Sequence, residues 1–218
     1  MKTRKYGERG IWGFEFICIF VVTMKNIVFD LGGVLFHRKR SECSEDFARF
    51  FAFVRWPKMP LFWEEYDRGV WSLEHVKDHL CAENECPREK CDRYIRQAIE
   101  MQCPIEPTEQ LIRDLKAKGY KLYVLSNMSL EFIAFLRKFP IYQLFDGEVV
   151  SCEEHVVKPE RRIYETLLVR YKLNPHETLF IDDRERNITA AQELEIDGFV
   201  FDHEDPEKSC AELRRRLL

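Results

Sequence analysis

Hydrophobic positions along the chain follow two rhythms. Short apolar runs end in polar side chains, as in Asn26–Asp30, Lys121–Ser126, Gly147–Val150, Thr178–Asp182 and Gly198–Phe201. Runs this short and rich in Val, Ile, Leu and Phe read as buried strands. Between them, apolar residues recur every three or four positions. Thr108–Lys118 opens on a Thr that reads as a cap, sets Leu111, Ile112 and Leu115 on one face, and stops at Gly119. Leu130–Lys138, Glu160–Tyr171, Arg186–Leu194 and Asp205–Leu217 read the same way. Strand and helix in alternation predict an α/β fold: a doubly wound parallel (Rossmann-like) sheet with right-handed crossovers.

The interval from His37 to Cys103 breaks that alternation. It holds helical patterns at Ser44–Val54, Pro60–Arg68, Leu73–Ala82 and Arg88–Met101, and no good strand. Phe47, Phe50, Phe51 and Val54 recur at helical spacing, which predicts the core of a small bundle. Pro104 and Pro107 stiffen the return. The expected organisation is therefore an α/β core at 24–37 and 104–218, with an inserted helical-bundle cap at 38–103. Inserted after the first strand, such a cap would overhang the C-terminal edge of the sheet and serve as a mobile lid. Trp63, Tyr66 and Trp71 either pack its core or offer flat faces to a ligand.

Residues 1–23 read as an N-terminal extension. A basic start precedes the apolar stretch Ile11–Val22, which Glu15 interrupts. Twelve residues are too few to span a bilayer, and no small-residue cleavage site follows. The pattern fits best a true start at Met24. An extra edge strand is the next reading, and a leader or anchor the last.

A net charge of −4 with scattered basic residues argues against a nucleic-acid partner. The expected partner is a small molecule, with no membrane, and the expected state is a monomer or weak homodimer. The cysteines are Cys18, Cys43, Cys81, Cys86, Cys91, Cys103, Cys152 and Cys210, and none form a C-x-x-C pair. They read as reduced thiols of a cytoplasmic protein, not as a zinc site.

Four polar signals fall at strand ends or in nearby loops: Asp30 with Gly32-Gly33, Ser126-Asn127, Lys158, and Asp182-Asp183. In a parallel sheet they converge on the edge where such folds bind ligands. Two acidic strand ends repel unless a cation lies between them. Hard ions such as Mg²⁺ take carboxylate and carbonyl oxygens plus water. An ionised Asp needs no base to act as a nucleophile. A carboxylate, a Mg²⁺ and an anion cradle together describe phosphoryl transfer through an aspartyl-phosphate.

Phe29-Asp30-Leu31-Gly32-Gly33-Val34, Val124-Leu125-Ser126-Asn127, Lys158–Tyr164 and Phe180-Ile181-Asp182-Asp183 with Asn187, in this order, resemble the haloacid dehalogenase-like hydrolase superfamily. The likeness runs from Met24 to Leu218. It points to the helical-cap branch that includes sugar-1-phosphate phosphatases and the phosphatase domain of soluble epoxide hydrolases. The resemblance implies that Asp30 is nucleophile and Mg²⁺ ligand, and that Gly32 offers its carbonyl to the metal. It implies that Asp183 ligates directly and Asp182 through water. Ser126 and Asn127 would hold the phosphoryl group, and Lys158 would neutralise it and bridge to Asp30. The expected reaction is Mg²⁺-dependent hydrolysis of a small phosphorylated metabolite, a sugar phosphate among the candidates.

One position departs from the pattern. Most phosphatases of this superfamily carry a second Asp two residues after the nucleophile, as general acid and base. Here that residue is Gly32. Loss of a positioned general acid costs about 10²–10⁴-fold. His37 could protonate the leaving oxygen or be a surface His, and Arg38, Lys39 and Arg40 could steer anions or be a solvated run. Two alternatives stay open: a catalytically weak phosphate-binding or regulatory protein, and a metal-independent haloacid dehalogenase.

Overall fold

The computed structural model describes residues 23–39, 43–56 and 58–218, and two short strands ahead of them. These strands, β1 (Gly7–Arg9) and β2 (Glu15–Ile17), pair antiparallel with each other and stand apart from the main sheet. The reading of Met24 as the true start otherwise concerns residues outside the described ones.

Five strands form the main sheet: β3 (Asn26–Phe29), β6 (Lys121–Ser126), β7 (Gly147–Val150), β8 (Thr178–Asp182) and β9 (Asp197–Val200). Their order is β7-β6-β3-β8-β9, and every pairing is parallel. The order reverses between β3 and β8, the switch point where ligands enter doubly wound sheets.

Side chains alternate across each strand. Ile27, Phe29, Leu122, Val124, Leu179 and Ile181 face one layer. There they meet α5 (Glu106–Ala117), α6 (Leu130–Leu136) and α10 (Pro206–Leu217) through Leu111, Ile112, Leu115, Ile133 and Leu213. Val28, Tyr123, Leu125, Val149 and Phe180 face the other layer. They pack on α8 (Arg161–Tyr171) and α9 (Glu185–Gln192) through Ile163, Leu167 and Ile188. Burial on both faces explains why these strands read as continuous apolar runs.

The inserted segment holds α1 (Glu45–Phe50), a 3-10 turn at Ala52–Arg55, α2 (Leu61–Asp67), α3 (Leu73–Glu83) and α4 (Arg88–Glu100). Its core is rich in aromatic rings: Phe47, Phe50, Phe51, Phe53, Phe62, Trp63, Tyr66 and Tyr94. Phe132 of α6 joins that cluster and binds cap to core. Cys81, Cys86 and Cys91 pack within it, and the seven described cysteines are free thiols.

Several local expectations need correction. The cap returns through an antiparallel ribbon that the pattern missed, β4 (Phe36–Arg38) against β5 (Gln102–Pro104). Three residues give too short a period to read. The first helical segment of the cap breaks at Phe51 into α1 and the 3-10 turn. Thr108 is not a cap: α5 begins two residues earlier, with Pro107 in its first turn, and Thr108 is fully buried. A short helix, α7 (Ser151–Glu154), follows β7 directly.

Candidate active site

Asp30 sits one residue past β3, and its main-chain N–H donates to Ile181 O of β8 at 2.9 Å. The chain then turns tightly. Gly33 N–H donates to Phe36 O at 2.9 Å, and Leu35 and Phe36 both donate to Leu31 O. Gly33 makes this possible with φ +76°, a conformation that strains side-chain-bearing residues. A Cβ on Gly33 would also lie 2.7 Å from Asp183 Oδ2. Glycine here lets the loop approach the second carboxylate.

The two oxygens of Asp30 are treated differently. Oδ1 accepts from Leu31 N–H at 2.7 Å, Ser126 Oγ at 2.7 Å and Lys158 Nζ at 2.9 Å. Among the described residues no donor reaches Oδ2. One oxygen is fixed and the other is left open.

Lys158 is buried, and its ammonium is fully engaged. Nζ donates to Asp182 Oδ2 at 2.7 Å and to Leu125 O at 2.9 Å, besides Asp30. Burial opposes its charge, but Asp182 and Asp30 outweigh burial and raise its pKa. A buried Lys with two carboxylates stays protonated.

Asn127 and Asp182 are each bonded to Lys158. The Asn127 side-chain amide brackets the Lys158 main chain, donating to Lys158 O at 3.0 Å and accepting from Lys158 N–H at 2.7 Å. It positions Lys158. Asp182 is completely buried, and its oxygens accept from Lys158, from Asn187 Nδ2 at 3.0 Å and from Arg184 N–H at 2.8 Å. Burial raises the Asp182 pKa and Lys158 opposes that rise. Both Asp182 and Ser126 lie behind the cavity wall, holding groups that face it.

Asp183 is the second carboxylate that faces the cavity. Burial, then the nearby charges of Asp30 and Asp182, push its pKa up to about 6. Oxygens of Asp30, Asp182 and Asp183 lie within 4.8 Å of one another. Asp30 and Asp183 offer hard oxygens to the cavity beside the open Gly32, with Asp182 behind them, and this set fits a Mg²⁺-sized cation. No Cβ contact lies within 4 Å of Gly32, so that side of the group is clear.

The cavity above them measures about 830 Å³. Asp30, Gly32, Asn127, Lys158 and Asp183 line its floor. Phe47, Phe51, Met59, Trp63, Met128 and Phe132 give one wall an apolar surface. His37 lies at the exposed neck, and Arg38 stacks 5.5 Å from the Phe51 ring. Arg40 lies outside the described residues. Tyr66 packs in the cap, and Trp71 stacks on His75 at 4.0 Å, so neither offers a face to the cavity. Sequence reasoning missed Asp67, Arg184, Arg186 and His203, which also line it. Nothing in the linear pattern sets these apart from surface charges.

A carboxylate with one open oxygen, a buried ammonium and a second acidic group, at the switch point of a parallel sheet under a cap, define a capped Rossmann-like protein with an acidic site. The chain belongs to the haloacid dehalogenase-like hydrolases, whose family model matches residues 24–194. A sesquiterpene phosphatase, astK, of Aspergillus oryzae is 27% identical over 194 residues, covering 88% of this chain and 96% of that protein. Bifunctional epoxide hydrolase 2 of Rattus norvegicus is 29% identical over 103 residues, covering 45% of this chain and 19% of that larger protein. A haloacid dehalogenase family enzyme of Bacteroides thetaiotaomicron, solved with magnesium and inorganic phosphate, shares the fold. Its TM-score is 0.66 at 24% identity, over 83% of this chain and 95% of that one.

Proposed function

We propose that this hydrolase is a Mg²⁺-dependent phosphomonoesterase working through an aspartyl-phosphate on Asp30. The observation that carries the reading is the asymmetry of that carboxylate. Three donors fix Oδ1, and Oδ2 is left open at the cavity floor. Asp30 and Asp183, with the Gly32 carbonyl, would hold the metal, and Asp182 would act on it from behind. A bound Mg²⁺ would offset phosphoryl charge and let the carboxylates stand close. Lys158 adds a fixed positive charge next to the attacked phosphorus, and Ser126 holds Asp30 in line.

The substrate reading is a small phosphorylated metabolite whose alcohol half is apolar. The aromatic wall favours such a group over a sugar phosphate, which would leave hydroxyls facing Phe47, Phe51 and Phe132 without partners. The name of the Aspergillus relative points the same way. Metal-independent dehalogenation fits poorly. It would leave Asp183 beside Asp30 with no cation between them.

Hydrolysis of p-nitrophenyl phosphate with Mg²⁺ and with EDTA tests the reading. Turnover with Mg²⁺ that stops with EDTA is expected. Activity that survives EDTA would remove the metal from the reaction. No turnover at all would favour a phosphate-binding or regulatory protein, the reading that Gly32 keeps open. Residence in the cytoplasm remains our proposal. Among the described residues, no helix is long and apolar enough to cross a membrane.

A further inference from the structure

Gly32 leaves the alcohol leaving group without the usual proton donor. We propose that Asp67, at the end of cap helix α2, supplies that proton and later takes one back from water. The inference rests on the phosphatase reading and extends it.

Asp67 is buried and lines the same cavity as Asp30, from the opposite side of the cap–core seam. Its helix end is fastened to the core. Ser151 Oγ donates to the Asp67 carbonyl, Tyr66 OH donates to Glu131 at 2.7 Å, and Arg68 pairs with Glu160 at 2.7 Å. Gly69 brings the following turn so near that a Cβ would lie 2.4 Å from Cys152 O. A side chain on such a mount is held in place in the cavity wall, as a proton donor must be.

Three other titratable groups at the cavity are worse placed. Glu64 pairs with Arg68 at 3.2 Å. His203 is half-exposed, 3.7 Å from Asp183 and 3.3 Å from Glu204. His37 is exposed at the neck. Asp67 forms no ion pair at salt-bridge distance among the described residues. The groups around it are Glu64 and Tyr66 on its own helix, Arg184 after β8, Asp30 after β3, Cys152 on α7 and the Ser129 amide. Burial dominates and pushes its carboxyl up to about 8, with Arg184 and the Ser129 N–H opposing and Asp30 and Glu64 adding. Burial therefore favours the protonated carboxyl that a general acid requires.

The steps balance. Asp30 Oδ2 attacks phosphorus, the ester P–O bond breaks, and its electron pair stays on the alcohol oxygen. That oxygen takes the Asp67 proton and leaves as the alcohol. Water then attacks the aspartyl-phosphate, gives a proton to the Asp67 carboxylate, and releases phosphate with Asp30 restored.

Two esters separate this role from a structural one. Octyl phosphate has a poor leaving group that needs the proton, whereas nitrophenolate leaves without one. Asp67→Asn should lower kcat on octyl phosphate about 10²–10⁴-fold. With p-nitrophenyl phosphate it should give a burst nearing one nitrophenolate per enzyme, followed by slow turnover as dephosphorylation lags. Asp67→Glu should regain part of the octyl phosphate rate. Unchanged octyl phosphate turnover in Asp67→Asn overturns the proposal. So does loss of the burst in Asp67→Asn with no recovery in Asp67→Glu. Wild-type enzyme inactive on both esters removes the phosphatase reading, and the proton donor with it.

Discussion

The sheet edge and the cap build two sides of one cavity from opposite materials. At the sheet edge each charged group is locked by named bonds: Asp30 Oδ1 by three donors, Lys158 by three acceptors, Asp182 by Lys158, Asn187 and the Arg184 amide. The cap wall is held by aromatic packing, with Phe47, Phe51 and Trp63 in edge and tilted contacts at 5.0–6.2 Å. Polar networks tolerate little change, because a lost partner strands a buried charge. Packed rings can change volume and keep their fold. The edge should therefore decide whether any ester is cleaved, and the cap which one.

The sharpest way to break this contrast is Asp30→Asn. It keeps the shape and removes the open nucleophile. Turnover of p-nitrophenyl phosphate and octyl phosphate should both fall by more than about 10⁴-fold. Retention of activity on either ester would move the nucleophile elsewhere.

Asp183→Asn comes next. Mg²⁺ should raise the melting temperature of the wild type, since a ligand that binds only the folded state stabilises by about 2.7 kcal/mol at a hundredfold excess over Kd. The variant should bind Mg²⁺ at least about 100-fold more weakly and lose that shift in differential scanning fluorimetry. Gly33→Ala should lose part of it, because its Cβ would crowd Asp183 Oδ2 at 2.7 Å.

These edge residues were legible in the sequence for a physical reason. A strand buried on both faces must be apolar throughout, so the first polar residue after Phe29, Leu125 or Ile181 marks its end. A parallel sheet then gathers those ends. Less was legible where one residue type serves two purposes. Thr108 has the chemistry of a cap, yet it lies inside α5 with its hydroxyl 3.7 Å from Cys210 Sγ. Asn127 belongs to a ligand-binding motif, yet its amide holds the Lys158 backbone. Asp67 was invisible, since burial and the approach of Asp30 and Arg184 arise only when the cap closes on the core.

On the cap side, Met59→Gln should keep the volume and remove apolar surface. Its kcat/KM for octyl phosphate should fall about tenfold, within the range one methylene-sized pocket change supplies. Phosphate release from p-nitrophenyl phosphate should stay within about twofold. Equal losses on both esters would mean that the cap does not select.

A last effect concerns stability, and it places the Asp67 carboxyl between the two regions. Its folded-state pKa is raised from 3.8 to about 8, burial being the main cause. Between those values the folded chain keeps a proton that the unfolded chain has released. Stability then falls as pH rises through that window and levels off above about pH 8. An amide at this position has no proton to lose. The melting temperature of Asp67→Asn should therefore gain on that of the wild type by about ten degrees between about pH 5 and pH 8.5. Parallel melting profiles across that range would show that the Asp67 carboxyl already ionises like an exposed one, so that the cap side of the cavity is wetter than its packing implies.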